Sequence, residues 1–189
     1  VVTLFRNTGN NVSPEAAPVT THELYKVILR NLTRIKVDSI TISNASWNML
    51  NWSSRDTLLT AGPVNVTLRH LHLSDSTSTD TSRVFFSEQV VLSVDALRIG
   101  NRKDKYCYTL QGIDLDSKER LLTVNDVAFI PFLDEAAFAR ASRWQTDRFD
   151  AAFQQLQFNN VSVREVLDGN LVAEELLIHK GRLKIYRDK

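Results

Sequence analysis

One spacing of apolar residues recurs along this chain of 189 residues and limits the folds open to it more than any other feature. Four apolar residues follow one another at intervals of two, three and two positions, and the two residues inside the interval of three are mostly polar. We refer to this arrangement as the 2-3-2 spacing. Its seven occurrences begin at Ile40, Val66, Leu92, Tyr108, Leu122, Leu156 and Leu171.

The 2-3-2 spacing predicts strands that bend. Intervals of two keep side chains on one face of a strand, and an interval of three would move the next side chain to the opposite face unless a bulge or bend intervenes. Hairpin turns at the polar pairs are the alternative, but their arms of about three or four residues fall below the usual strand length. We therefore expect bends at Ser43-Asn44, Arg69-His70, Asp95-Ala96, Gln111-Gly112, Asn125-Asp126, Asn159-Asn160 and Glu174-Glu175.

Bent strands of this kind predict a mainly β fold with two short helices. We expect a curved antiparallel sheet that forms an elongated groove with an apolar inner face, and a β-sandwich is the alternative. For any one side chain, burial in a closed core is favoured over lining a groove. The side chains expected to line the groove are Leu68, Leu71, Leu97, Val124, Val127 and Phe158.

The chain is expected to form one β-rich domain that belongs to a longer protein. Residues 7–20 are rich in Asn, Pro, Ser and Thr and predict a loop. Thr20 and Glu23 match a capping box that begins a helix at about 21–31. A second helix is predicted at about 134–143, where acidic residues precede an Ala-rich segment. Gly62-Pro63 and Asp168-Gly169 are turn signals between strands.

Composition and charge give no sign of nucleic acid or an anionic membrane surface as a partner. Lys and Arg total 23 against 22 Asp and Glu, so the formal net charge is +1. No apolar run approaches the roughly 20 residues that span a bilayer, and no signal peptide opens the chain. An anchor or targeting segment is expected, if present, in the rest of a longer chain.

Motifs for catalysis, metals and cofactors are not found in the sequence. The histidines have no Cys or carboxylate cluster at ligand spacing, and there is no nucleophile elbow or phosphate loop. Asp114 and Asp116 would share a strand face, as glycosidase carboxylates do, but a solvated turn is favoured over that role. We expect no enzyme activity and no cofactor. The four histidines are His22, His70, His72 and His179.

Several other residues have a structural and a functional interpretation. Asp147 and Arg148 are predicted to form an ion-pair cluster beside the second helix, with a ligand contact as the alternative. The single cysteine, Cys107, is expected to be a buried thiol. Six Asn-x-Ser/Thr sequences would carry glycans in a secreted eukaryotic protein, but we favour turn chemistry because Asn tolerates unusual backbone angles. They are Asn11, Asn31, Asn44, Asn51, Asn65 and Asn160.

The segment from Lys105 to Lys189 resembles AsmA-like envelope proteins of the Bacteroidota. The resemblance rests on Tyr106-x-Tyr-x-Leu110, Ser117, Leu122-Thr-Val-Asn-Asp-Val-Ala-Phe-Ile-Pro131, the helix with Phe138, Gln145-x-Asp147-Arg148 and Lys184-Ile-Tyr-Arg-Asp-Lys189. The earlier Val37-Asp-Ser-Ile-Thr-Ile-Ser-Asn44 is also similar to this group. These motifs are structural, and the resemblance brings no catalytic residues.

The resemblance implies a periplasmic β-rich body in a protein anchored by an inner-membrane helix. Related TamB-like bridges form curved sheets whose apolar groove is thought to conduct phospholipids or to support outer-membrane biogenesis. Phospholipid acyl chains and the rest of a membrane-anchored chain would then be the partners. The competing hypothesis is a β-sandwich interaction or adhesion module that binds protein or glycan through exposed Trp47, Trp52 and Tyr106.

Overall fold

A computed structural model describes residues 2–6, 34–74, 77, 80, 82–100, 105–141 and 146–187. The predicted lead-in at 7–20 and the helix at 21–31 lie outside the described residues. These residues contain two short helices, α1 (Glu135–Ala141) and α2 (Val163–Leu167). The strands are β1 (Val2–Arg6), β2 (Arg34–Asn51), β3 (Thr57–Ser74), β4 (Gln89–Ile99), β5 (Tyr106–Asp116), β6 (Leu121–Pro131), β7 (Arg148–Asn159) and β8 (Glu175–Tyr186).

All eight strands belong to one open, curved sheet, in which the strands follow the order of the chain. β1 runs parallel to β2, and every later neighbour is antiparallel. This confirms the prediction of a mainly β, curved antiparallel sheet. The β-sandwich alternative is wrong for the described residues, because their strands form a single layer.

Apolar residues that oppose one another on neighbouring strands form rows across the sheet from β2 to β8. All four rows lie on the same face, and rows A and B lie toward the end of the strands that is nearer to α2. Row A consists of Ile42, Val66, Leu92, Leu115, Leu122, Phe158 and Leu176. Row B consists of Ala45, Val64, Val94, Ile113, Val124, Leu156 and Ile178.

Rows C and D continue the same face toward α1. Opposed residues of paired strands share a face, so each row is a line of side chains in contact across the sheet. Row C has two parts, because no residue of β6 directly opposes Leu110. The first part is Trp47, Ala61, Leu97 and Leu110, and the second is Val127, Phe153 and Gly181. Row D consists of Met49, Leu59, Ile99, Tyr108, Phe129, Ala151 and Leu183.

The 2-3-2 spacing is the spacing of these rows in β3 to β8, although its phase differs from the prediction in three of these strands. In β2 the row residues Ile42, Ala45, Trp47 and Met49 have intervals of three, two and two instead. The units predicted in β4, β5 and β6 supply one residue to each row. In β3, β7 and β8 the rows instead use units that begin at Leu59, Ala151 and Leu176. The predicted unit at Leu156 runs past the end of β7 into α2, and the unit at Leu171 begins before β8.

The residue pairs between rows B and C line up across β3 to β8 and form a crease in the sheet. Four of these pairs contain a residue with positive φ, namely Gly62, Gly112, Asp126 and Lys180. The crease pairs are Gly62-Pro63, Asp95-Ala96, Gln111-Gly112, Asn125-Asp126, Gln154-Gln155 and His179-Lys180. Gly62-Pro63 therefore lies inside β3, and its prediction as a turn between strands is wrong.

Bulges on neighbouring strands compensate for one another, which keeps the rows in register. Between β5 and β6 the register shifts at Gln111 and shifts back before Ile113. Between β2 and β3 it shifts on both sides of Ala45. A single uncompensated bulge would move every later side chain to the opposite face. Among the predicted bend pairs, positive φ values occur at Asn44, His70, Gly112, Asp126 and Asn160, the last directly after the end of β7. The rows continue across the bends at Asn44, Gly112 and Asp126.

The opposite face of the sheet is largely polar. Between rows A and B it presents the opposed residues Asn65, Ser93, Asp114, Thr123 and Gln157. This alternation of a polar and an apolar face is typical of an antiparallel sheet with one solvated side. The apolar residues are thus concentrated on the face of rows A to D, although Ile130 and Leu177 lie on the opposite face.

The two helices lie at opposite ends of the strands. The predicted helix at 134–143 is observed as α1, and residues 142–145 lie outside the described part of the chain. The Asp134 carboxylate accepts a 2.7 Å hydrogen bond from the Ala137 amide, as the acidic helix start predicted. α2 was not predicted, since Val161 and Val163 had been assigned to a strand unit.

Candidate functional site

The apolar face of the curved sheet is the candidate functional site, and we call rows A to D of β2–β8 the apolar trough. Side chains in its middle are buried although the sheet is a single layer: Val94 is 8% exposed and Val124 is 6% exposed. Side chains converge on the inner side of a curved sheet, which accounts for this burial. The crease between rows B and C runs along the trough.

One rim of the trough, at row A, is covered by a packed cluster. Val161 and Val163, at the start of α2, bury themselves against Leu115. Half-buried neighbours complete this cluster, and they are Val84, Leu92, Leu122, Phe158, Val166 and Ala173. A second, smaller cluster of Leu73 and Phe86 lies at the end of β3.

The opposite rim, at row D, is built from aromatic rings. The Tyr106 ring stacks on Phe129 with 4.2 Å between centroids, and Phe138 of α1 lies 5.7 Å from Tyr106. The Tyr106 hydroxyl accepts a hydrogen bond from the Phe149 amide. Tyr106 is therefore half-buried in the rim and is not the exposed contact residue of the adhesion hypothesis. Trp47 and Trp52 are exposed.

The six residues predicted to line a groove lie in three different surroundings. Leu97, Val124 and Val127 belong to rows B and C, which neither packed cluster includes. Phe158 packs in the α2 cluster and Leu71 in the Leu73–Phe86 cluster. Leu68 pairs with Ile40 and Val90 beyond row A. Four of the six thus lie on the apolar trough, and three of these, in rows B and C, lie outside both packed clusters.

Charged residues beside the row D rim hold the ends of β7 and β8 against α1. Asp147 pairs with Arg187 at 2.8 Å, and this guanidinium holds the pKa of the Asp147 carboxyl below its ordinary value. Arg148 donates from Nε to the Leu133 carbonyl and lies 5.2 Å from the Tyr186 ring centroid. The predicted cluster at Asp147 and Arg148 therefore consists of two separate contacts.

The candidate carboxylate pair of β5 is divided between the sheet and a turn. Asp114 opposes Ser93 and Thr123 on the polar face. Asp116 accepts hydrogen bonds from Gln89 Nε2 and from the amides of Lys118 and Glu119. Partial burial raises the pKa of the Asp116 carboxyl, but these hydrogen bonds outweigh it and the pKa is lowered. Asp116 thus stabilises the turn between β5 and β6.

The candidate metal ligands do not come together in the part of the chain that the structure describes. No group of three or more His, Cys, Asp or Glu side chains there is placed to hold a metal ion. His70 is exposed with φ 52° at a bend of β3, and His72 has a buried Nε2 without a hydrogen-bond partner. Cys107 is buried, as predicted.

The described Asn-x-Ser/Thr asparagines take part in local backbone structure. Asn65 Oδ1 accepts a hydrogen bond from the Asn44 amide at 3.0 Å, where Asn44 has φ 55°. Asn51 Oδ1 accepts from the amides of Ser53 and Ser54, and Asn160 donates to Glu174. These contacts support the interpretation as turn and bulge chemistry.

Searches against protein-family models, curated proteins and solved structures found no match. Among the residues described, no helix has both the length and the apolar character needed to cross a bilayer. The site is therefore interpreted from its own geometry.

Proposed function

We propose that this chain is a segment of a periplasmic envelope protein of the AsmA-like type, and that its apolar trough shields phospholipid acyl chains. The lipid head groups would remain in water at the rims. The observation that carries this proposal is the set of four rows of mainly apolar residues on one face of an open sheet, of which rows A, B and D run through directly opposed residues on all seven strands from β2 to β8. The sequence resemblance to that family is the second support.

The length of the trough suits an acyl chain. Seven strands spaced about 4.8 Å apart give a trough about 29 Å long. A bilayer core about 30 Å thick contains two leaflets, so one acyl chain spans about 15 Å. Burial of each methylene contributes about 0.8 kcal/mol, so about ten buried methylenes would contribute about 8 kcal/mol before the costs of binding.

A protein- or glycan-binding module is the second candidate, and two tryptophans favour it. Trp47 ends row C at the β2 edge and is exposed. Trp52, in the turn after β2, is exposed and has the Arg55 guanidinium 5.2 Å from its ring centroid. Exposed aromatic side chains with a polar neighbour are common anchors in such interfaces.

Lipid mass spectrometry of the purified protein tests the proposal. We expect phospholipid in stoichiometric amount, and we expect Val127→Gln to lose most of it because Val127 lies in the trough. Ala128→Gln is the matched control, since Ala128 is the next residue, is also half-buried and opposes Thr109 and Ala152 outside the rows. Lipid-free wild-type protein, or equal loss in both folded variants, would contradict lipid shielding.

A further inference from the structure

The strand β8 ends the sheet with an exposed apolar edge. It pairs with β7 on one side, and no described strand lies on its other side. Every residue of β8 is exposed, including Leu176 at 47%, Ile178 at 53% and Leu183 at 58%. An exposed edge strand with a row of apolar side chains is a template for another strand, because its outward amides and carbonyls lack partners in the sheet. The crease of β8 at His179-Lys180 means that the partner strand must bend at the same place.

The row spacing of β8 allows this strand to pair with a copy of itself. Its row residues are Leu176, Ile178, Gly181 and Leu183, and their 2-3-2 spacing reads the same in both chain directions. In an antiparallel pair of two β8 strands, Leu176 therefore opposes Leu183 and Ile178 opposes Gly181. All four rows then continue into the second copy, and the crease residues His179 and Lys180 oppose each other.

The same register is complementary in charge on the polar face. It places Glu175 of each copy opposite Lys184 of the other, which gives two opposite-charge pairs by symmetry. Both residues are exposed and flank the row residues of β8, Glu175 before Leu176 and Lys184 after Leu183. The Glu175 carboxylate also accepts a hydrogen bond from Asn159 Nδ2 within its own chain. Opposite charges across an antiparallel pair are favourable, whereas like charges directly opposite are unfavourable.

The other edge of the sheet lacks this symmetry. In β2 the row residues are Ile42, Ala45, Trp47 and Met49, and their intervals are three, two and two. A reversed copy of β2 would therefore bring its apolar side chains out of step with the rows. β1 also covers part of that edge, from Trp47 to Asn51. Of the two edges of the sheet, only the one at β8 is therefore complementary to a copy of itself.

We propose that two copies of this chain associate through antiparallel pairing of β8 with β8 about a two-fold axis. The two sheets then form one continuous sheet, and the two apolar troughs form one trough of twice the length. This inference goes beyond the proposed function and does not rest on it, because a dimer without lipid is compatible with the pairing. Isologous two-fold contacts are the commonest form of homodimer.

Sedimentation equilibrium of the purified 189-residue chain tests the pairing. We expect a dimer in the micromolar range, and we expect Ile178→Lys to raise the dissociation constant at least about tenfold because it places a charge inside row B. Ile42→Lys is the matched control, since Ile42 is 51% exposed in row A at the opposite edge. A monomeric wild type, or a dimer that survives Ile178→Lys, would overturn the proposal.

A charge exchange tests the register separately. Each single substitution, Glu175→Lys or Lys184→Glu, places two like charges opposite each other at positions 175 and 184 of the two copies. We expect each one to weaken the dimer. The double variant restores two opposite-charge pairs and should recover most of the wild-type association. If both single variants leave association unchanged, or if the double variant is as weak as the single ones, this β8 register is wrong. Circular dichroism of each variant establishes that the sheet is folded.

Discussion

At the scale of single residues, His72 makes the stability of the chain depend on pH. Burial of its ring, with further contributions from Lys36, Arg83 and Arg34, lowers the pKa of His72 below its ordinary value of 6.5. At a pH between the pKa of His72 in the folded chain and its pKa in the unfolded chain, the unfolded chain binds more protons than the folded chain. The contribution of His72 is therefore complete above pH 6.5 and is lost as the pH falls below it.

Urea denaturation at a series of pH values measures this effect. We expect the wild-type midpoint to fall between pH 7.5 and 5.5 and the His72→Leu variant to fall less, since leucine does not titrate. The control is His70→Asn, because His70 is exposed and Asn tolerates its φ of 52°. If the urea midpoint of His72→Leu falls with pH as steeply as that of the wild type, the pH dependence arises from other groups.

Some of these residue features can be predicted from the sequence, and others cannot. The polar pairs at Ser43-Asn44 and Gln111-Gly112 predict bends because Asn and Gly accept positive φ at low cost. The bend predicted at Asn125-Asp126 likewise occurs, with a positive φ at Asp126, whereas the positive φ of Lys180 lies outside the predicted pairs. No local pattern identifies Lys180, since lysine has no preference for that conformation.

At the scale of elements, the crease is held by a chain of side-chain amides. Asn125 Nδ2 donates to the Gly112 carbonyl at 2.9 Å, and Asn125 Oδ1 accepts from Gln155 Nε2 at 3.0 Å. The crease pairs of β5, β6 and β7 are thereby joined. This chain of amides supplies partners for polar groups at the point where the bends interrupt the regular ladder.

Loss of the central amide should destabilise the sheet. Asn125→Ala removes both hydrogen bonds, and we expect it to lower the free energy of unfolding by about 1–3 kcal/mol. Gln154→Ala is the control, because Gln154 is an exposed residue of the same crease. Denaturant titration with the same probe compares the two. Equal stability of both variants would show that the amide chain does not hold the crease.

The sequence does not decide which of two overlapping 2-3-2 units a strand uses for the rows. Apolar residues continue beyond β7 at Val161 and Val163, so two overlapping 2-3-2 units fit the same segment. Packing decides between them, because Val161 and Val163 are buried against Leu115 by α2. Short-range spacing contains no information about that tertiary contact.

At the scale of the whole molecule, each strand contacts mainly its neighbours in sequence, so stability should decrease from the centre of the sheet to its edge. In the Ile178→Lys variant, in which β8 is expected to have no partner copy, we expect hydrogen–deuterium exchange to be slowest in β4, β5 and β6 and fastest in β8, where every residue is exposed. The Ile178→Lys variant provides the monomeric reference for this measurement. Slow exchange throughout β8 in that monomer would contradict the gradient.

The fold could be predicted at this scale more fully than the site. Bent strands with one apolar face follow from the 2-3-2 spacing of units such as Leu122–Phe129, and an open curved sheet follows from stacking them. The sequence does not identify which apolar residues stay uncovered. Phe158 and Leu71 satisfy the spacing as well as Val127 does, but they are covered by segments whose position depends on the folded chain.

The crease has a consequence for how such a chain can lengthen during evolution. Because the row spacing from β3 to β8 reads the same in both directions, each strand fits either neighbour of an antiparallel pair. Duplication of one hairpin would add two strands that meet the existing rows without repacking of any core. The trough could therefore gain length in steps of two strands, provided that each added hairpin keeps the apolar positions and the bends in the same places.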